Sequence, residues 1–300
     1  MIDKDRGVLA VVVTYNRLEL LKQCIGALEA QTVGCDILLV DNASTDGTEA
    51  FAKGKEGSGF FYARMEENLG GAGGFHYGIK RGTEMGYEQL WIMDDDCIPT
   101  ATALEGLLEA GKRMGNEYGW LSSMAVWTDG SLCGMNRQKK TPFQDVHDED
   151  FRKDRIPCQI ASFVCLLLPR ESVIKYGLPI REFFIWTDDW EYTRRISMHE
   201  PCYVIPASKA VHAMKQNTVS NIAHDSPDRL SRYRYMYRNE VYVYRREGIK
   251  GWLWLIAKDC WHAIRTIAAG HPGRVGIIFE GFRNGLKFRP EAEMIQQGEA

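Results

Sequence analysis

The sequence predicts an α/β protein built on an open sheet, and three observations predict it. Short apolar runs alternate with segments of helical periodicity, the runs are continuous rather than alternating with polar residues, and a polar or glycine-rich segment follows each of four of them. The first run, VLAVVV (8–13), is bounded by Gly7 and Asn16 and has the character of a parallel strand buried on both faces. A helix follows, because Leu18, Leu21, Ile25 and Leu28 recur at helical spacing in RLELLKQCIGALEAQ. CDILLVDN (35–42) is a second strand and GFFYARM (59–65) a third. GGFHYGIKRGTEMG is a helix after a glycine-rich turn, and EQLWIMD (88–94) is a fourth strand. Ligands of such sheets sit beyond the carboxyl ends of the strands. Thr14, Tyr15, Asn16 and Arg17 fall there, as do Asp41 and Asn42, the stretch Asn68 to Gly74, and Asp94, Asp95 and Asp96.

Composition narrows the class. At 300 residues with 45% hydrophobic content the chain can bury a large core, and a net charge of −3 offers no bulk basic surface for nucleic acid. The eight cysteines form no CxxC pair and no zinc spacing, which fits reduced thiols in a cytosol. The apolar run near the N-terminus is short and lacks a cleavable signal pattern, so the expected location is cytoplasmic.

Three adjacent carboxylates ending an apolar strand repel one another unless water or a cation intervenes. If the strand continues through them, Asp94 and Asp96 project to one side and Asp95 to the other, and two converging carboxylates suit Mg2+ or Mn2+. A solvated acidic turn before Pro99 is the alternative, weakened by the company of three other polar strand ends. NLGGAGGF (68–75) is not a Walker loop. Its glycines either let a helix pack closely or let the backbone approach a nucleotide or sugar ring. Asp41 and Asn68 are open to the same two readings, as turn residues or as ligand contacts.

In this order, TYNR, LLVDNASTDGT, NLGGAGGF and WIMDDD resemble the nucleotide-sugar half of family 2 glycosyltransferases of the GT-A fold. The resemblance implies a nucleoside diphosphate sugar donor and a divalent metal. It places Thr14, Asn16 and Arg17 near the nucleotide, with Tyr15 and Asn42 on the same turns. Asp41 and Asn68 fall near the base, and Gly71 and Gly74 in the glycine-rich turn. It sets Asp94, Asp95 and Asp96 around metal and ribose, with Asp94 and Asp96 as the metal-binding candidates.

The second half must supply a base. FFIWTDDWEYTRR (183–195) runs from an aromatic, strand-like stretch into a helix, and Asp188 with Glu191 has the form of a capping box. Asp189 is then left without a structural duty, near a helix dipole that would keep it ionised and able to accept a proton from an acceptor hydroxyl. The segment resembles the DD-containing stretch of galactofuranosyltransferases, whose second Asp is the base; Asp188 and Trp186 are its neighbours on the donor and acceptor side. His212 follows an apolar stretch, and the resemblance makes it the third metal ligand.

From residue 228 the character changes. The expected organisation is a catalytic domain over 1–227 and a helical appendage over 228–300. Tyrosine and leucine stripes in 228–247 are expected to pack on the catalytic domain with their arginines solvated. In 250–290, tryptophans beside basic residues suit an amphipathic element docking on anionic lipid, a peripheral contact on the inner face of the membrane. Residues 127–158 lose periodicity and are expected to be a loop on the acceptor side, with His147 to Asp150 solvated; QIASFVCLLLPR (159–170) is expected to be a core strand.

The expected activity is inverting, metal-dependent transfer of galactofuranose from UDP-galactofuranose to a glycan or lipid-linked glycan in cell-surface polysaccharide synthesis, with dTDP-rhamnose as the alternative donor. A nucleotidyltransferase and an inactive membrane-docked scaffold are the alternatives from other classes. The sequence leaves a homo-oligomer open.

Overall fold

The computed structural model describes residues 6–295; residues 1–5, which begin the stretch read above for a signal pattern, and 296–300 lie outside the described residues. The four predicted strands are β1 (Arg6–Thr14), β2 (Asp36–Asp41), β3 (Phe60–Arg64) and β4 (Tyr87–Asp94). Between them lie α1 (Leu18–Glu29), a short α2 (Thr48–Lys53) that periodicity did not reveal, and α3 (Gly70–Glu84). β1 runs parallel to both β2 and β4, with Thr14 opposite Asp41 and Val13 opposite Asp94, so the polar strand ends are level.

The second half completes the sheet through β5 (Cys97–Pro99), α4 (Ala103–Arg113), β6 (Trp120–Val126), a small hairpin β7 (Lys139–Thr141) and β8 (Gln144–Asp145), β9 (Ile156–Pro157), β10 (Leu166–Pro169), α5 (Arg170–Tyr176), α6 (Asp188–Ser197) and β11 (Cys202–His212). The strand order is β3-β2-β1-β4-β10-β6-β11-β5, with β9 also on β11. β10 is antiparallel to both of its neighbours, and β5 is antiparallel to β11 with Cys97 opposite His212.

The continuous apolar character of β1 has a simple cause. Val8, Ala10 and Val12 face a core shared with α1 and α4, while Leu9, Val11 and Val13 face a second core shared with α3, α5 and α6. α3 approaches the sheet through glycines four residues apart: a Cβ at Gly74 would stand 2.5 Å from Val13 Cγ1, at Gly78 2.4 Å from Val11 Cγ1, and at Gly82 2.6 Å from Leu90 Cδ2. Close packing is therefore the duty of Gly74, which corrects its assignment to the sugar-binding turn; Gly71 meets no atom within 4 Å and stays on the open side.

Two further expectations are corrected. Of the stretch 159–170 only Leu166–Pro169 is a strand; Cys165 before it has a positive φ of 54°. Residues 127–158 are ordered by the hairpin and by a 3-10 turn at Asp148–Arg152. His147, Asp148 and Glu149 are exposed as expected, with Asp148 pairing with Arg137 at 2.7 Å; buried Asp150 departs, pairing with Lys140 at 2.5 Å and Lys153 at 2.7 Å.

The C-terminal region forms α7 (Leu230–Arg245), α8 (Gly248–Ala268) and α9 (Val275–Lys287). Tyr233, Tyr237, Tyr242 and Tyr244 are buried, as the stripes suggested. Several arginines nearby are engaged rather than free: Arg238 lies over the Phe288 ring at 4.0 Å, and Arg246 reaches Glu191 at 2.7 Å. α9 presses on α7 where Gly281 and Gly285 meet Tyr237 and Val241.

Candidate active site

The acidic triplet is bent rather than extended. β4 ends at Asp94, and Asp95 and Asp96 form a turn before β5, so the strict alternation expected through Asp96 does not hold. Asp95 accepts a hydrogen bond from the Thr14 hydroxyl at 2.7 Å, and its second oxygen lies 3.4 Å from Arg17 Nη1. The same guanidinium nitrogen is 2.6 Å from Asp96. On its other oxygen Asp96 meets His212 Nε2 at 2.9 Å, a pairing fixed by the register that sets β5 against β11. The far nitrogen of that ring, Nδ1, lies 2.7 Å from the side-chain oxygen of Asn136, whose amide donates to Ser162 Oγ at 3.0 Å. Asn136 thus orients the imidazole from within the irregular middle segment, a role that no spacing in the sequence announced.

Electrostatics shows what this cluster lacks. Burial, the Asp96 charge and the Asp95 charge push Asp94 up to about 8 against His212 and Arg17, and among the described residues none donates a hydrogen bond to its carboxylate. Burial also lifts Asp95 to about 6 despite Arg17 and Thr14. Asp96, although buried, is held below the usual carboxylate range by His212 and Arg17, and His212 is in turn raised to about 10 by Asp96 against its own burial. Three carboxylates face two cationic side chains here, so the cluster balances its charge only while Asp94 holds a proton, which a divalent cation would displace. The ligand atoms that converge are those of Asp96, Cys97 and His212, all within 4.8 Å of one another. This differs from the expected trio of Asp94, Asp96 and His212. Cys97 is a soft donor whose thiol burial pushes far up, whereas carboxylate and imidazole suit Mn2+ or Mg2+. The residues present therefore fit such an ion through Asp96 and His212, with Asp94 adjoining.

The predicted base lies in the segment that departs most from expectation. Phe183 to Thr187 is no strand. A 3-10 turn, Arg181–Phe183, leads into a γ-turn at Phe184 (φ 64°, ψ −60°) closed by Ile185 N–H donating to the Phe183 carbonyl at 2.7 Å. Trp186 and Thr187 follow with φ of 64° and 69°. Three non-glycine residues at positive φ store roughly 1–3 kcal/mol each. A fully buried residue of α7 holds them: Asn239 Nδ2 donates to the carbonyls of Phe183 (3.0 Å), Ile185 (3.2 Å) and Trp186 (2.8 Å). Gly70, at the start of α3, closes the other side, where a Cβ would fall 2.0 Å from the Phe184 carbonyl oxygen. Neither contact was legible in the sequence, since both join segments far apart in the chain.

α6 begins at Asp188 with Thr187 as its N-cap, and no side chain caps it. The expected capping box is absent because Glu191 turns instead to Arg195 (2.8 Å) and to Arg246 (2.7 Å) at the end of α7. Asp189 accepts a hydrogen bond from Trp190 N–H at 2.8 Å through Oδ1. Burial, the adjacent Asp188 and the Asp94 charge raise it well above the usual carboxylate range, so the helix terminus does not by itself keep it ionised. Burial likewise lifts Asp188, to about 7. Trp186 packs edge-on against Tyr233 at 5.1 Å, with Arg229 over its face at 5.7 Å. Asn239→Ala is expected to lower stability by about 2–4 kcal/mol, since it removes the side-chain donor of the Ile185 and Trp186 carbonyls and one of the donors to that of Phe183. Chemical unfolding measures the loss, and at temperatures where the variant is folded its kcat should fall more than its donor affinity.

The remaining residues form the rim. Asn16 (φ 53°) accepts from Thr45 N–H at 2.7 Å, and Tyr15 stands exposed beside it. Asp41 is fully buried and accepts from Ser44 N–H, Tyr62 and Arg64, each at 2.8 Å, so it builds the turn from within. Asn42 donates to the Gly70 carbonyl at 3.1 Å while its own oxygen is buried without a partner. Asn68 caps the glycine-rich turn by accepting from Gly70 N–H at 2.8 Å.

A level row of parallel strand ends, an acidic turn paired with histidine, and a carboxylate at a helix start make up this site. Solved structures share the architecture. A crystal structure of GalNAc-T7 with UDP, GalNAc and Mn2+ superposes with a TM-score of 0.57 at 14% identity, covering 83% of this chain and 52% of that one. S. aureus TarS 1-349 in complex with UDP-GlcNAc gives 0.50 at 12% identity, covering 78% and 66%. The chain thus spans about half of the first and just under two thirds of the second, and the fold is GT-A. The family model described as Glycosyl transferase family 2 matches residues 9–177, and the chain belongs to that family and is a glycosyltransferase. It is 24% identical over 283 residues to the galactofuranosyltransferase GlfT1 of Mycolicibacterium smegmatis, across 84% of this chain and 90% of that protein.

Proposed function

We propose that this enzyme moves galactofuranose from UDP-galactofuranose to a hydroxyl of a glycan or lipid-linked glycan, by a metal-dependent single displacement that inverts the anomeric carbon. The observation that carries the donor is the extent of the likeness to a galactofuranosyltransferase, which reaches beyond residues 9–177. Metal dependence is supported by the Asp96–His212 pair and the excess of carboxylates around it.

In this reading the diphosphate lies over the strand ends near Arg17, and Thr14, Tyr15, Asn16, Asn42, Asn68 and Gly71 border the nucleotide. Asp189 Oδ1 is engaged by Trp190, which leaves Oδ2, once the carboxyl is ionised as pH rises through its raised pKa, to take the acceptor proton. As that proton leaves, the acceptor oxygen bonds to the anomeric carbon and the bond to the diphosphate breaks, releasing UDP. Asp94, Asp96 and His212 would hold Mn2+ or Mg2+, whose chemistry there is to disperse charge on the departing diphosphate. The reaction is assigned to the cytoplasm at the inner face of the membrane, in the assembly of cell-surface polysaccharide. Among the described residues no helix is long and apolar enough to cross a membrane.

The test is thermal denaturation with UDP, dTDP, GDP, CDP and their sugars, with and without Mn2+. At a ligand concentration 100-fold above Kd, UDP and UDP-galactofuranose are expected to add about 2.7 kcal/mol, only with metal present. Preference for dTDP would transfer the assignment to rhamnose. Release of pyrophosphate on turnover would mean nucleotidyl transfer, and silence toward every nucleotide would leave only a scaffold.

A further inference from the structure

Helix α8 buries Leu255 against Val241 and Tyr244 of α7 but is otherwise turned inside out. Its inward face carries Lys258 and Asp259, buried against Glu240 of α7, and His262, whose Nδ1 lies 2.9 Å from the Tyr237 hydroxyl oxygen. Its outward face carries Ile249, Leu253, Ile256, Trp261, Ile264 and Ile267, each about half exposed or more, up to 81% for Ile249. A helix on the surface of a water-soluble protein shows the opposite distribution. Of thirteen large apolar side chains exposed among the described residues, nine lie on α8 and α9. α8 is 21 residues long, so this face runs for about 31 Å.

Charge selects what covers the face. Residues 248–289 hold seven lysines and arginines against two acids, in a chain whose net charge is −3. Both acids are engaged: Asp259 is buried beside Lys258, and Glu280 pairs with Arg234 at 3.3 Å. The exposed charges of α8 itself are Lys250 and Arg265, both positive. α9, packed beside α8 through Trp252 and Phe282, presents Phe279 and Leu286 with Arg283 and Lys287. A second copy meeting this face about a two-fold axis would set these cations against their own duplicates. An anionic lipid surface neutralises them and takes the apolar side chains into the headgroup boundary.

We infer that the outward face of α8, extended by α9, is a docking surface for anionic phospholipid, on which the enzyme lies without spanning the bilayer. The inference deepens the location proposed above and rests on that reading only for which leaflet is met. α7 links this face to the base loop, because it carries both Glu240, the partner of Lys258, and Asn239.

The experiment is flotation of the full chain with vesicles of phosphatidylcholine alone or mixed with phosphatidylglycerol, at low and high salt. Binding to the anionic vesicles is expected, weakening with salt. Lys250→Gln and Arg265→Gln, each removing one positive charge, should each weaken it about fivefold, and Leu253→Glu with Ile264→Glu should abolish it. These side chains are exposed, so UDP-induced stabilisation in the same variants should be unchanged; that control separates failure of docking from failure of the donor assignment. Absence of binding to both vesicle types would overturn the inference. So would a dimer in light scattering that Leu253→Glu dissociates, since the face would then belong to a second copy.

Discussion

Asp189→Asn is expected to lower kcat by roughly 10²–10⁴-fold, the range supplied by a positioned general base, while leaving UDP affinity nearly unchanged. The substitution preserves shape, and an amide oxygen still accepts from Trp190 N–H, so only proton acceptance is lost. Stability gives a second, independent sign. Asp189 has a folded pKa raised by burial, by Asp188 and by Asp94, so the folded protein holds a proton that the unfolded chain has released above the ordinary carboxylate range. Its contribution to stability therefore falls as pH rises toward the folded pKa. An asparagine does not titrate, so the variant should be at least as stable as the wild type at pH 7–8, and lost turnover cannot be attributed to unfolding. Single-turnover kinetics with saturating donor reads the first effect and thermal denaturation the second. Near wild-type turnover would remove Asp189 from the chemistry.

The sheet was legible in the sequence because its strands are buried on both faces: Val8 to Val13 must be apolar at every position when each side meets a core. The strand-end residues were legible for the same reason, as polar side chains at the edge of an apolar run have few other places to be. The base loop was not. FFIWT looks like a strand by composition, and only a tertiary clamp from Asn239, more than fifty residues away, makes its positive-φ turns affordable. Gly74 misled because a glycine looks the same whether it faces a ligand or Val13. Asn136 gave no signal at all, since an asparagine in an irregular segment is ordinary until the fold sets it against His212.

Removing either side chain of the proposed metal pair should have the other large effect. His212→Ala and Asp96→Asn are each expected to weaken Mn2+ binding, and Mn2+-dependent UDP binding with it, by roughly 10–100-fold or more, the loss found even for partners of metal ligands. The pH dependence tests the same site without mutation. Asp94 is pushed up to about 8 and His212 to about 10, so at neutral pH the metal-free folded protein holds protons that an ion must displace. Both folded values lie above their unfolded ones. Stability of the metal-free enzyme from these groups is therefore full at low pH, and is lost from about pH 4 to 8 for Asp94 and from about 6.5 to 10 for His212. Metal binding runs the other way, gaining about tenfold in affinity per pH unit for each proton released. Calorimetric titration of Mn2+ at pH 6, 7 and 8 should show that rise, and thermal denaturation at fixed Mn2+ should show a stabilisation that grows over the same range. An affinity that stays flat with pH, or that survives both substitutions, would place the ion away from Asp96 and His212 and leave their pairing as a purely structural lock between β5 and β11.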